Sequence, residues 1–189
     1  EQRLLSVTAG RVYHDGLGEL EPLRARLAWY PHDLWLLRLA AEWTRISQEE
    51  AFVGRCGDVG DELGFALVAN RLVHSLMRLC FLMERTYAPY AKWFGTAFAR
   101  LPGAADLLPV LARVQTAADW RTREQALSAA YGLVVARHNR LGLTAPIDPQ
   151  VSPYYGRPYQ VIHADAIAAH LVACIADPPV QAIARRGLG

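Results

Sequence analysis

A mainly α fold, a helical bundle around one central apolar helix with a short β-like strand and turn near the N-terminus, is what this sequence predicts. Apolar residues recur at three- and four-residue spacing along most of the chain. Residues 65–83 are apolar nearly all round, as a helix enclosed by others must be. Strand-like alternation appears once, in residues 10–20, around Asp15-Gly16. With 52% hydrophobic and 20% charged residues over 189 positions, the composition is that of a globular domain rather than a disordered tail.

The elements follow in order. Residues 1–6 read as helix, and residues 19–30 as a short amphipathic helix ended before Pro31. Asp33 is placed to cap a longer one, in which Trp35, Leu39, Trp43, Ile46 and Val53 make a buried stripe. Arg38, Glu42, Arg45 and Glu49 alternate in sign on another stripe, the pattern of a solvated face. Glu50 falls on the apolar stripe, where a carboxylate calls for a cationic partner. The glycines of residues 54–57 break the pattern, and Asp58 is expected to cap the central helix, which runs to about residue 86. Pro89 opens a helix through residues 92–101 with Tyr90, Trp93, Phe94 and Phe98 on its apolar side, ended by Pro102-Gly103. Helices over residues 105–117 and 119–141 follow, the second capped by Asp119 and carrying His138 on its buried stripe. Residues 142–158 read as loop, residues 165–176 as helix, and a tail helix follows Pro178-Pro179.

A net charge of +2 is too small for a nucleic-acid surface, so a basic site must be local and nucleic acid is not an expected partner. Cys56, Cys80 and Cys174 have no metal-ligand spacing, which leaves no metal site expected and points to a reducing cytoplasm. No apolar stretch is read as reaching the ~20 residues that cross a bilayer, and no membrane is expected. The chain opens at Glu1, without methionine, inside a helical segment, and that start reads as a cut from a longer protein. Lys92 is the one lysine among 20 cationic residues.

Charged residues that interrupt apolar helices carry the candidate chemistry. Arg71, His74 and Arg78 lie on one face of the central helix, at i, i+3 and i+7. Two guanidinium groups inside a bundle must meet carboxylates, with Glu49, Glu50 and Glu62 the candidates, or an anionic ligand. A second pattern is Arg157 and His163, six residues apart. There an arginine would hold a scissile phosphate and a histidine would move protons, as in ribonucleases of the HEPN group.

Trp43, residues 48–55 (Gln-Glu-Glu-Ala-Phe-Val-Gly-Arg), 60–64 (Gly-Asp-Glu-Leu-Gly), 78–85 (Arg-Leu-Cys-Phe-Leu-Met-Glu-Arg) and 87–98 (Tyr-Ala-Pro-Tyr-Ala-Lys-Trp-Phe-Gly-Thr-Ala-Phe) together resemble the bacterial family catalogued as domain of unknown function 4037, over most of the chain. The resemblance implies a helical domain C-terminal to a nucleotidyltransferase-fold domain. It divides the chain into residues 1–30, the terminal strand, turn and linker helix of that preceding domain, and residues 31–189, the bundle. Such enzymes hold magnesium with an acidic pair after a Gly-Ser segment, and no such segment occurs here. The implied function is therefore an accessory domain that lines a nucleotide or small-molecule cleft without catalysing transfer itself. It has no cofactor of its own, and nucleotide with magnesium belongs to the full-length parent. By analogy with two-domain nucleotidyltransferases, Arg55, Arg71, His74, Arg78, Tyr90 and Lys92 would contact phosphate or substrate, supported by Glu49, Glu50 and Glu62. The alternatives are the ribonuclease-like pair Arg157 and His163, and a purely structural or homodimerising module.

Overall fold

The computed structural model describes residues 1–188. Its helices are α1 (Gln2–Thr8), α2 (Leu20–Arg26), α3 (His32–Glu49), α4 (Phe52–Asp58), α5 (Glu62–Met83), α6 (Ala91–Phe98), α7 (Ala104–Thr116), α8 (Trp120–Arg140), α9 (Ala164–Ala173) and α10 (Pro178–Arg185). Two two-residue strands, β1 (Ser152–Pro153) and β2 (Gln160–Val161), pair antiparallel with Ser152 opposite Val161. The protein is mainly α, as its apolar periodicity predicts.

Helix α5 is the axis, packed by α3, α4, α7 and α8, while α9 lies along α3. Leu72, Leu76, Leu79 and Leu82 of α5 and Leu36, Leu39, Trp43 and Ile46 of α3 are sealed from solvent. Burying each such side chain is worth about 1.5–3 kcal/mol, so this seam contributes substantially to stability. By length and a mean hydropathy of 1.4, α5 would suffice to cross a bilayer. That corrects the expectation that no segment reaches this length; here the apolar helix is enclosed by other helices, which is what its all-round hydrophobicity requires.

Four local expectations are overturned. Residues 10–19 form no strand: with no neighbouring strand to complete a ladder, the Asp15 carboxylate instead accepts the amides of Glu19, Leu20 and Glu21 and starts α2. The small sheet pairs β1, which lies in the segment read as loop, with β2 just beyond that segment's end. The cap of α5 is Asp61, which accepts the Gly64 amide at 2.8 Å, and Asp58 instead ends α4. Gly54 and Gly57 do not break a helix. They lie within α4 because a Cβ at either would collide with the ring of Tyr159 or Trp120, so they are points of close packing.

Asp33 does not cap α3 with its side chain; it accepts the amides of Ala176 and Asp177 and thereby fixes the α9–α10 connection. Asp119 caps α8 as expected, by accepting the Thr122 amide at 2.9 Å. The first thirty residues are fastened to the bundle. Arg24 gathers the carbonyls of Thr8, Ala9 and Gly10, Gln2 accepts the Tyr90 amide, and Tyr87 donates to the Leu27 carbonyl.

Candidate functional site

The charged residues of α3 and α5 meet across the helix seam. Arg78 Nε donates to Glu42 Oε1 at 2.6 Å, and its Nη2 lies 3.1 Å from Glu1 Oε1. The same Glu1 oxygen accepts from Arg38 at 2.9 Å. Burial alone would lower the pKa of Arg78, but the Glu42 and Glu1 carboxylates more than reverse this and hold it above the usual arginine value. Glu42 is only 2% exposed, which overturns the solvated reading of its stripe: α5 covers that side of α3, and the carboxylate survives burial because Arg78 meets it. Arg71 makes the expected cross-helix pair, donating to both oxygens of Glu49 at 2.7 and 2.9 Å. Arg71 and Arg78 are thus engaged with carboxylates.

Glu50 has no cationic partner among the described residues. Its oxygens accept the backbone amides of Ile162 at 2.8 Å and Ala164 at 3.1 Å, which satisfies a buried carboxylate without a countercharge. Burial pushes its pKa up to about 7, against the restraint of those amides. Glu62 is exposed in the first turn of α5 and makes no ion pair among the described residues. His74 stacks on Phe94 with ring centroids 4.8 Å apart, and burial followed by the charge of Arg78 lowers its pKa.

The six residues proposed for ligand contact do not converge. Arg71 and His74 share a polar trough of about 610 Å³ between α3 and α5 with Arg45, Glu49 and Asn70. Tyr90 lines a groove of about 670 Å³ between α1 and α6, together with Leu5, Phe81, Trp93 and Arg100. Lys92 does not line that groove itself; its Nζ lies 5.1 Å from the ring centre of Trp93, which does. Arg55 lines a third concavity, about 470 Å³, beside Phe52, Asp58, Tyr159 and Arg157.

Arg157 and His163 are also kept apart. Arg157 follows the single 3-10 turn Tyr154–Gly156 that joins the two strands, whereas His163 directly precedes α9 and lines a different concavity with Ser152 and His170. Ser152 Oγ and His163 Nε2 are 2.7 Å apart. Among the described residues no group of three or more His, Cys, Asp or Glu side chains is arranged to hold a metal ion.

Residues 1–94 match the family model described as Domain of unknown function (DUF4037). Through these residues the chain belongs to the DUF4037 family. The match ends at Phe94, so it covers about half the chain rather than most of it. The DUF4037 segment contains α1 to α5, the Glu42–Arg78 pair and the six proposed contact residues, while Arg157 and His163 lie outside it. No curated protein and no solved structure matches the chain.

Glu1, Glu42, Trp93 and Arg100 take part without being among the candidate site residues that the sequence offers. The spacing places Trp93 on the buried side of its helix, whereas it is 49% exposed. The one signal in the sequence is its place directly beside Lys92, a residue expected at solvent.

Proposed function

We propose that this chain is the helical accessory domain of a cytoplasmic nucleotidyltransferase-like protein and that the α1–α6 groove is its wall of the nucleotide or substrate cleft. The observation that carries the reading is the composition of that groove. One wall comes from residues 2–9, the part that family resemblance assigns to the neighbouring domain, and the other from residues 86–102. A cleft shared between two domains is expected to have such mixed walls.

Its chemistry suits a planar, anionic ligand. Tyr90 and Trp93 are 51% and 49% exposed and offer ring faces for stacking, above an apolar floor that includes Leu5, Phe81 and Leu101. Lys92 and Arg100 make no ion pair among the described residues and are free to meet phosphate. In this reading Arg71 and Arg78 hold helices together and do not contact ligand. Transfer chemistry, with its magnesium ions, belongs to the neighbouring domain.

The test is titration of the chain with ATP, followed by tryptophan fluorescence and by calorimetry. Saturable binding that is lost in Trp93→Ala and weakened about ten-fold or more in Lys92→Ala or Arg100→Ala supports the proposal. Binding that is absent, or unaffected by all three changes, overturns it.

A further inference from the structure

We propose that the concavity between α4 and the β1–β2 hairpin is a phosphate-binding site, with Arg55 and Arg157 as the two sides of an anion clamp. The two arginines come from opposite halves of the sequence, and the fold sets both beside Tyr159. Neither forms an ion pair or donates a side-chain hydrogen bond among the described residues, whereas Arg24, Arg38, Arg45, Arg71 and Arg78 all have carboxylate partners.

One carboxylate does line the concavity, and it is engaged elsewhere: Asp58 Oδ2 accepts the Tyr159 hydroxyl at 2.6 Å. That hydrogen bond raises the Tyr159 pKa, and both Arg157 and Arg55 act in the opposite direction, so both cations lie near the hydroxyl. Two guanidiniums against one carboxylate leave the site with a positive excess. Guanidinium groups meet phosphate through forked, charge-assisted hydrogen bonds.

The platform under Arg157 is held at several points. Asp58 takes the Tyr159 hydroxyl, Glu124 Oε1 accepts the Gln160 amide at 3.0 Å, and Glu50 accepts the amides of Ile162 and Ala164. Tyr159 also lies against Gly54, where a larger residue would displace it. At the turn, Arg157 N donates to the Tyr154 carbonyl at 2.9 Å, and Tyr155 and Gly156 take positive φ of 44° and 77°. Three carboxylates and a glycine contact therefore fix where Arg157 begins. Arg55 is steadied from its own side, its guanidinium carbon 5.2 Å from the Phe52 ring centre.

Phe52 is 39% exposed at the same concavity and adds an aromatic face. The ligand class is a phosphate ester with a planar group, and a nucleoside monophosphate is the simplest member. This site shares no lining residue with the α1–α6 groove, so it stands or falls independently of the function proposed above.

The experiment is calorimetric titration of the chain with AMP and, separately, with inorganic phosphate, in the wild type, Arg55→Ala, Arg157→Ala, Phe52→Ala and Trp93→Ala. Circular dichroism verifies that each variant is folded; the two arginines are exposed, so their removal leaves the core intact. The expected result is saturable AMP binding weakened about ten-fold or more by either arginine change and unaltered by Trp93→Ala. Loss of AMP binding but not phosphate binding in Phe52→Ala would identify the nucleotide as the source of the phosphate. Equal binding of the two probes, indifferent to Phe52→Ala, would identify free phosphate. No saturable binding of either probe up to ~10 mM, or binding indifferent to both arginine changes, overturns the proposal.

Discussion

Glu50 is 6% exposed, faces no cation among the described residues and has its pKa raised from 4.5 to about 7, with burial as the largest cause. The folded chain therefore holds a proton that the unfolded chain has released between those two values. The contribution of this group to stability is complete below pH 4.5 and is lost as pH rises through 7. A shift of 2.5 pH units, the difference between 7 and 4.5, at about 1.4 kcal/mol per unit corresponds to a loss of about 3 kcal/mol. His138 works in the opposite direction. It is fully buried, and burial, followed by the charge of His170, lowers its pKa from 6.5 to about 4. Its contribution is complete above pH 6.5 and lost as pH falls through 4, so between pH 4.5 and 6.5 the two slopes oppose each other in the wild type. Glu50→Gln removes one of them. Unfolding in urea, monitored by circular dichroism from pH 4.5 to 8, is expected to show the wild type losing about 3 kcal/mol relative to Glu50→Gln. The amide also costs one of the two hydrogen bonds from the Ile162 and Ala164 amides, which offsets the curves without changing their relative slope. A free-energy difference that does not vary with pH would refute the reasoning.

Two arginines on one helix face should behave very differently. Arg78→Ala strands the buried Glu42 carboxylate and is expected to cost about 3–5 kcal/mol. Arg71→Ala removes an ion pair whose arginine is 54% exposed and should cost at most about 1 kcal/mol, both by urea unfolding. Gly54→Ala forces Tyr159 off α4. The expected outcome is faster amide hydrogen exchange at Gln160 and Ile162, with helices α5 and α8 unaffected. Of the three free cysteines, Cys174 is exposed, whereas burial pushes the thiol of Cys80 up to about 11. A thiol reagent applied to the folded protein should label Cys174 readily and leave Cys80 unlabelled until denaturant is added.

The helices were legible because their signal is local. The stripe Trp35, Leu39, Trp43, Ile46 and Val53 is buried throughout, and the all-round hydrophobicity of α5 correctly places it at the centre. What the sequence conceals is identity at long range. Glu42 carries the same alternating pattern as a solvated residue, and only the approach of α5 turns it into a buried partner of Arg78. The position of Glu50 on an apolar stripe calls for a cation because buried charges usually have one; its partners are amides 112 and 114 residues away, and a backbone amide leaves no mark in a sequence. Gly54 and Gly57 look like helix breakers until the aromatic rings that need their missing side chains come into view. Site residues suffered most, since helical spacing orders residues on one face but does not say which faces share a cavity. Sequence pattern puts Arg55 and Arg157 in two different candidate sites, and the fold sets both on one concavity.

Pairing discriminates among the concavities. In the trough between α3 and α5, both lining arginines already have carboxylates, Arg71 with Glu49 and Arg45 with Glu42. A ligand entering there must compete with ion pairs that the fold itself supplies. In the α1–α6 groove and beside the β1–β2 hairpin the lining arginines, Arg100 and Arg157 with Arg55, have no such partner among the described residues, and exposed aromatic rings stand next to them. The difference has a structural cause. Glu42 and Glu49 are spent on joining α3 to α5, and Asp58, Glu124 and Glu50 on holding the hairpin, so the acids that could have neutralised these surfaces are already engaged. In these two concavities, unlike the trough, an arginine without an ion pair and an exposed aromatic ring line the same surface. That combination is the basis on which a planar, anionic ligand is proposed for both.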